Sequence, residues 1–330
     1  MTSRCVRNGR LTTVAVLLLG VALLLSACGG GGSTAKLTSA ASASSSAAAS
    51  SSAARSAASS KPKLPTKPVH ITMFQGDGQT FGIGMAIIAQ FDVAPGTSRE
   101  FTKLVKVTVD GQPSNGSWFF QRSNDPNYKL EALYREQNYW KPHAKIHVSM
   151  PLKGVDAGPG LAFDDNLTLD INTGAANIST VQGEQMVVTS DGKVVKQMPV
   201  SLGAATTPTY KGTKVVSEKK NPQHMVSAPG EPYYSLMVPW SVRVTYSGEF
   251  IHAASWNTGN IGNRNTSHGC TNLTVADAQW FYTFAKVGDV VQYPSASGPT
   301  MPSWDGFGWW NISWSQWLTG GQLKNHGTGG

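Results

Sequence analysis

The sequence predicts a mainly β protein: a β-sandwich followed by a second β-rich domain that carries one helix. Three observations predict it. Short apolar runs separated by turn dipeptides fill residues 69–165. Strict alternation restarts after Asn166, as in "LTLDI" (167–171). One stretch of helical periodicity, and only one that is convincing, begins after Leu273. At 330 residues the chain has room for roughly two domains.

Residues 1–27 read as a secretory leader. A basic stretch with Arg4, Arg7 and Arg10 precedes an apolar run over 11–25. That run is short of the ~20 residues a membrane span needs. It ends in "LSAC" (25–28), which resembles a bacterial lipobox and implies acylation of Cys28. Of the formal net charge of +8, three charges sit in this leader, leaving a mature chain of +5. Such a charge suits an anionic cell envelope. No Lys/Arg run interleaves with aromatics, so nucleic acid is not implied.

Residues 28–68 are Gly, Ser, Ala and Pro with little else, and cannot build a core. As a flexible coil this tether would reach roughly 35 Å on average. The sandwich is then assigned to 69–165, with strands expected at 71–74, 85–91, 105–109, 117–121, 130–134 and 145–150. Asp77-Gly78, Pro95-Gly96, Asp110-Gly111 and Asn115-Gly116 punctuate them. "GQTFGIG" (78–84) contains Gly-x-Gly, but no helical pattern follows, so it reads as a turn rather than a phosphate loop.

The second domain is assigned to 166–294. "MVVT" (186–189) and "VVK" (194–196) flank Asp191-Gly192, a hairpin signal, and "VRVTY" (242–246) alternates again. Thr274 caps the expected helix, with Asp277 three residues on. Val275, Ala278, Phe281, Tyr282 and Ala285 form its apolar face, and Gly288 ends it. The extension 295–330 holds Trp304, Trp309, Trp310, Trp314 and Trp317, five of the ten tryptophans. It is expected to dock as a short amphipathic segment on the second domain; a glycan-stacking surface is the alternative.

Cys270 is the single cysteine beyond the N-terminal region. A lone thiol in an exported chain is either an inert buried residue or a reactive one. A reactive thiol needs a base or cation beside it, because the thiolate is the nucleophile. His268 stands two residues before it and projects to the same side of an extended chain. His252, in "FIHAASW" (250–256), can return across the Gly/Asn-rich loop 257–266. The spacing does not choose between these histidines. Gly269 lets backbone approach a substrate closely, and the N–H groups of Gly269 and Cys270 can face a developing oxyanion. Asn272 can orient local backbone or the His268 ring. Zinc held by His252, His268 and Cys270 lacks a fourth ligand in this pattern, and no metal or other cofactor is expected.

"YSGEFIHAASW" (246–256), a Gly/Asn loop and "SHGCTNLTVADAQWFY" (267–282) resemble the signature of the YkuD-type L,D-transpeptidase catalytic domain. "PVSLGAATTPTYKGT" (199–213) resembles the strand and turn leading into that site. The tethered sandwich resembles the immunoglobulin-like domain that precedes it in actinobacterial lipoprotein members, and the Trp-rich tail resembles their C-terminal extension. The resemblance implies an immunoglobulin-like β-sandwich followed by a β-rich L,D-transpeptidase domain with one helix after the catalytic cysteine.

It also implies roles. Cys270 attacks the diaminopimelate carbonyl of a donor peptidoglycan stem peptide and releases the terminal D-alanine. A side-chain amine of an acceptor stem then takes the acyl group. His252 is the base, its other nitrogen held by the carbonyl of Ala253. Tyr246 and Gly269 serve the oxyanion, and His268 shapes the site. Ser267, Asn272, Met225, Trp256 and Gly248 lie along the substrate, with 225–239 as a lid. Carbapenems are the implied inhibitors, and the membrane is reached through a lipid on Cys28, on the outer face of the cytoplasmic membrane. A sortase would need an arginine after the cysteine, and residues 271–330 contain none. NlpC/P60-type peptidases place the cysteine before the histidine. An L,D-carboxypeptidase and a non-catalytic envelope-binding lipoprotein remain as alternatives.

Overall fold

The computed structural model describes residues 66–227 and 233–324. The leader, the lipobox at Cys28 and most of the tether therefore lie outside the described residues.

Two sheets make the sandwich. One runs Ile71–Met73, Ile87–Phe91, Leu130–Arg135, Ser117–Gln121, all antiparallel. The other runs Thr80–Phe81, Leu167–Thr173, Lys145–Met150, Lys106–Val109, Gln112–Pro113. Lys145–Met150 shows the alternation expected of a sheet with one buried face: Ile146, Val148 and Met150 point into the core. Phe91, Phe101, Phe120 and Phe163 fill the centre with ring centroids 5.6–6.4 Å apart. Phe101 comes from a helix, Arg99–Leu104, for which the sequence carried no clear signal.

The boundary expected at residue 165 moves. Leu167–Thr173 is a strand, but it pairs with Lys145–Met150 from Leu167↔Met150 to Asn172↔Lys145 and so completes the sandwich. Alternation identifies a strand and its buried face; it does not say which sheet the strand joins. The second domain begins at about residue 174.

Part of the tail also lands elsewhere. Leu130–Arg135 is buried at all six positions, because aromatic residues of the extension cover part of its outer side. Trp317 stacks on Phe119 at 4.9 Å and donates its indole N–H to the Ser117 carbonyl. The Arg135 guanidinium lies over the rings of Trp310, Trp314 and Trp317 at 4.4, 5.4 and 4.3 Å. The expected docking on the second domain holds for the first part of the extension, where Gly298, Pro299 and Met301 bond the backbone of Thr209 and Lys211, while the tryptophans from Trp309 onward pack on the sandwich. Asn311 adds a further contact with the second domain, bonding both the N–H and the carbonyl of Thr213. Of the extension's tryptophans only Trp304, 64 % exposed, presents a large free face.

The second domain has a five-stranded sheet ordered Lys193–Pro199, Gln185–Ser190, Asn177–Gln182, Val290–Tyr293, Gly212–Val215. The Asp191-Gly192 hairpin is present, with φ of +47° and +78° as a tight two-residue turn requires. A four-stranded sheet, Glu218–Lys220, Ser241–Arg243, Phe250–Ala253, Thr271–Leu273, carries the site. The helix is Val275–Phe284, and Thr274 accepts from the Asp277 N–H as expected. Ala278, Phe281 and Ala285 are buried, but Val275 is 44 % exposed. Helical periodicity fixes the face, not the point along the axis where the packing partner ends.

Candidate active site

Phe250–Ala253 and Thr271–Leu273 are parallel neighbours, with His252 opposite Asn272. Cys270 precedes Asn272 by two residues, so the period-two rule turns Cys270 toward the same side of the sheet as His252. Both line one cavity of about 360 Å³. Met225, Tyr234, Leu236 and Val238, from the hairpin Gln223–Val226 and Ser235–Val238, wall one side. Trp256, Asn257, Thr266, Ser267 and His268 wall the other.

The two histidines, equal by spacing, are unequal in space. His252 is buried, and its Nδ1 donates to the Ala253 carbonyl at 2.8 Å, which leaves Nε2 as the acceptor. Burial pushes its pKa down to about 4, so the ring is neutral at neutral pH. Trp256 stacks against it at 5.9 Å. His268 is exposed at the rim, its ring 5.6 Å from that of Tyr234.

Cys270 is 7 % exposed, packs beside Met225, Val238 and Phe250, and directs its thiol to the Gly248 carbonyl at 3.6 Å. The sulfur is therefore shielded from bulk water yet faces the cavity. Gly248 has φ of +113° and Gly269 of +109°, a region closed to most side chains, so these two glycines shape the turns around Cys270.

Two sequence expectations need correction. The Gly269 N–H does not face the cavity as a spare donor: it donates to Ser267 Oγ at 3.2 Å, and Ser267 Oγ donates to the Cys270 carbonyl at 2.6 Å. Tyr246 does not line the cavity. The residue is 40 % exposed, and its ring packs edge-on against Phe307 of the extension at 6.1 Å. Asp305 takes both the N–H and the hydroxyl of Ser247, each at 2.6 Å, and ties the 245–248 turn to the extension.

Asn272 is fixed through its backbone, exchanging hydrogen bonds of 2.8 and 3.1 Å with Ser201. Its side-chain Oδ1 is buried without a hydrogen-bond partner, and the residue lines the cavity. A buried unmet acceptor is costly and waits for a donor. Sequence reasoning missed Asn257, which accepts from Thr266 Oγ1 at 3.0 Å and Asn260 Nδ2 at 2.7 Å, tying the loop closed. The asparagine density of 257–266 was the available signal, since asparagine side chains bind nearby backbone and turns.

Fold and cavity define the class: an immunoglobulin-like sandwich ahead of a β-rich domain with a cysteine–histidine cleft. Residues 174–292 match the model of the L,D-transpeptidase catalytic domain, YkuD, and residues 31–156 match that of a bacterial Ig domain. Residues 174–292 thus carry a YkuD-type L,D-transpeptidase catalytic domain, behind a bacterial Ig domain. The chain is 34 % identical over 268 residues to L,D-transpeptidase 2 of Mycobacterium tuberculosis, covering 77 % of this chain and 64 % of that one. It is 29 % identical to L,D-transpeptidase 5 of the same organism, over 77 % of this chain and 57 % of that one. The chain thus spans less than two thirds of the length of these two relatives. A solved L,D-transpeptidase from Mycobacterium smegmatis aligns at 26 % identity and a TM-score of 0.55, covering 69 % of this chain and 100 % of that one. A solved L,D-transpeptidase complex with imipenem shares the fold at a TM-score of 0.56 and 24 % identity, over 70 % of this chain and 100 % of that one.

Proposed function

We propose that this chain is a peptidoglycan L,D-transpeptidase that joins diaminopimelate residues of two stem peptides through a thioester on Cys270. One observation carries the reading. His252 is neutral, tied at Nδ1 and open at Nε2, in the same cavity as the sole described cysteine.

The chemistry follows from that geometry. His252 Nε2 takes the thiol proton as Sγ bonds to the donor's diaminopimelate carbonyl carbon. The tetrahedral intermediate collapses, the bond to D-alanine breaks, and the leaving amine takes the proton from His252. The acceptor amine then attacks the thioester and gives its proton to His252, and the carbon–sulfur bond breaks to restore the thiol. The buried, neutral imidazole suits both proton transfers. Asn272 Oδ1 accepts from a donor-stem N–H. The Gln223–Val226 hairpin with Met225 covers the cavity and limits water, favouring transfer over hydrolysis. With water in place of the amine the same site would be an L,D-carboxypeptidase. In this reading Cys28 is acylated and the tether holds the enzyme at the outer face of the cytoplasmic membrane, facing its substrate.

Carbapenems are expected to acylate Cys270, and the imipenem complex of a relative with this fold supports that expectation. Intact mass spectrometry after incubation with meropenem tests the proposal. A one-to-one adduct on the native chain and none on Cys270→Ala is expected; an undiminished adduct on that variant moves the nucleophile elsewhere. Metabolic fatty-acid labelling tests the anchor, and a chain left unlabelled removes it.

A further inference from the structure

Beneath the nucleophile lies a buried ion pair that the reaction above does not use. Lys214, of the Gly212–Val215 strand, is wholly buried and its Nζ contacts Glu249 Oε2; Glu249 is itself buried. The Glu249 Oε1 accepts the Tyr210 N–H at 2.8 Å. The same oxygen lies 3.4 Å from where a Cβ on Gly269 would sit, so the carboxylate is one residue from Cys270. The neighbouring Thr209 hydroxyl donates to the Gly269 carbonyl at 2.9 Å. Lys214 also lies over the Tyr293 ring at 3.9 Å, and the Tyr293 hydroxyl meets Thr271 Oγ1 at 2.8 Å.

A buried pair of this kind adds little net stability, since its desolvation cancels much of its attraction. A bare carboxylate beside the nucleophile would oppose both the thiolate and the oxyanion. A bare ammonium there would favour the thiolate. We propose that Glu249 and Lys214 are positioning residues for this reaction: together they form an electrically neutral floor under the Gly269–Cys270 turn, with Lys214 cancelling the carboxylate that anchors Tyr210. This rests on Cys270 being the nucleophile. The other ionisable groups facing the turn are His252 and His268 in the cavity, Tyr293 behind Thr271, and Arg243. The Arg243 guanidinium lies over Phe250 and pairs with Glu218. All are left unchanged in the test.

The test is the rate of iodoacetamide alkylation at Cys270 in the full chain between pH 5 and 10, read on the Cys270 peptide by mass spectrometry. Lys214→Met should move the rising limb to higher pH and slow alkylation at pH 7 about tenfold. Glu249→Gln, which keeps an acceptor for Tyr210, should move the limb to lower pH. The double variant, which removes both charges at similar volume, should return the limb to its native position. Opposite shifts with recovery in the double variant are a signature that a purely packing role does not give. Limbs that coincide, or that move the same way in both single variants, overturn the proposal. If a single variant fails to fold, a double variant whose limb is displaced from the native one overturns it as well. A native chain that meropenem does not acylate at Cys270 defeats the nucleophile assignment instead, so the two failures are told apart.

Discussion

Two of the buried cations, Lys214 in the second domain and Arg135 in the sandwich, are held in opposite ways. Lys214, beside the nucleophile, is matched to a carboxylate, Glu249. Arg135, in the sandwich, meets no carboxylate among the described residues. Three indole faces and the carbonyls of Glu136, Gln137 and Ile312 hold it, and burial pushes its pKa down to about 10, still cationic at neutral pH. Backbone carbonyls and π-faces hold a cation without a full countercharge, but they leave a net charge in place. That is tolerable where only an extension must be clamped to a sheet. It is not tolerable next to a thiol whose reactivity depends on the local potential.

The largest expected break in this comparison lies on the catalytic side. His252→Ala should lower the rate of acylation by meropenem by ~10²–10⁴, the usual cost of a general base, with the fold intact by circular dichroism. A variant that acylates at the native rate would return the base to His268. On the sandwich side, Arg135→Ala should cost about 3 kcal/mol, since it removes desolvated cation–π contacts and charge-assisted hydrogen bonds together. Urea denaturation measures the loss, and the folded enzyme should still acylate normally; a parallel fall in acylation would mean that the clamp reaches the site.

A third prediction uses pH. His252 falls from 6.5 to about 4 on burial. A lowered pKa contributes stability above the unfolded value and loses it as pH falls through the folded one. His252 therefore makes the chain less stable from about pH 6.5 to about pH 4. Asp289 runs the other way: burial raises it from 3.8 to about 6, so its contribution, full at low pH, fades as pH rises through that range. His252→Gln should flatten the acid-side loss by a few kcal/mol, and Asp289→Asn should steepen it; urea midpoints at pH 4.5 and 7 compare the variants. The smallest effect is Thr274→Ala, which removes the cap of the helix after the nucleophile and should cost about 1 kcal/mol. An unchanged melting temperature would show that the helix start is held by packing alone.

Much of this was legible in the residues. Ser117–Gln121 and Lys145–Met150 match their expected spans because alternating burial and flanking turns both marked them. The cavity around Cys270 was legible because several of its lining residues lie within a few adjacent positions of the chain. What escaped has one physical character: partners far apart in the chain. Leu167–Thr173 joins a sheet that its own alternation cannot name, and the Trp-rich extension chooses the sandwich through Arg135, some 180 residues earlier. The contact of the Tyr246 turn with Asp305, some 58 residues on, escaped for the same reason. Lys214 and Glu249 read separately as ordinary charged residues, and only the fold makes them a pair.

The Asp305–Ser247 clasp sets a schedule for maturation. Ser247 neighbours Gly248, whose carbonyl receives the Cys270 thiol, so the reactive centre is finished only when a stretch near the C-terminus has closed over it. A chain in which that stretch has not yet docked is an incomplete catalyst. Any shortened form ending before residue 305 would keep every group of the "SHGCTN" motif while losing the hand that steadies it.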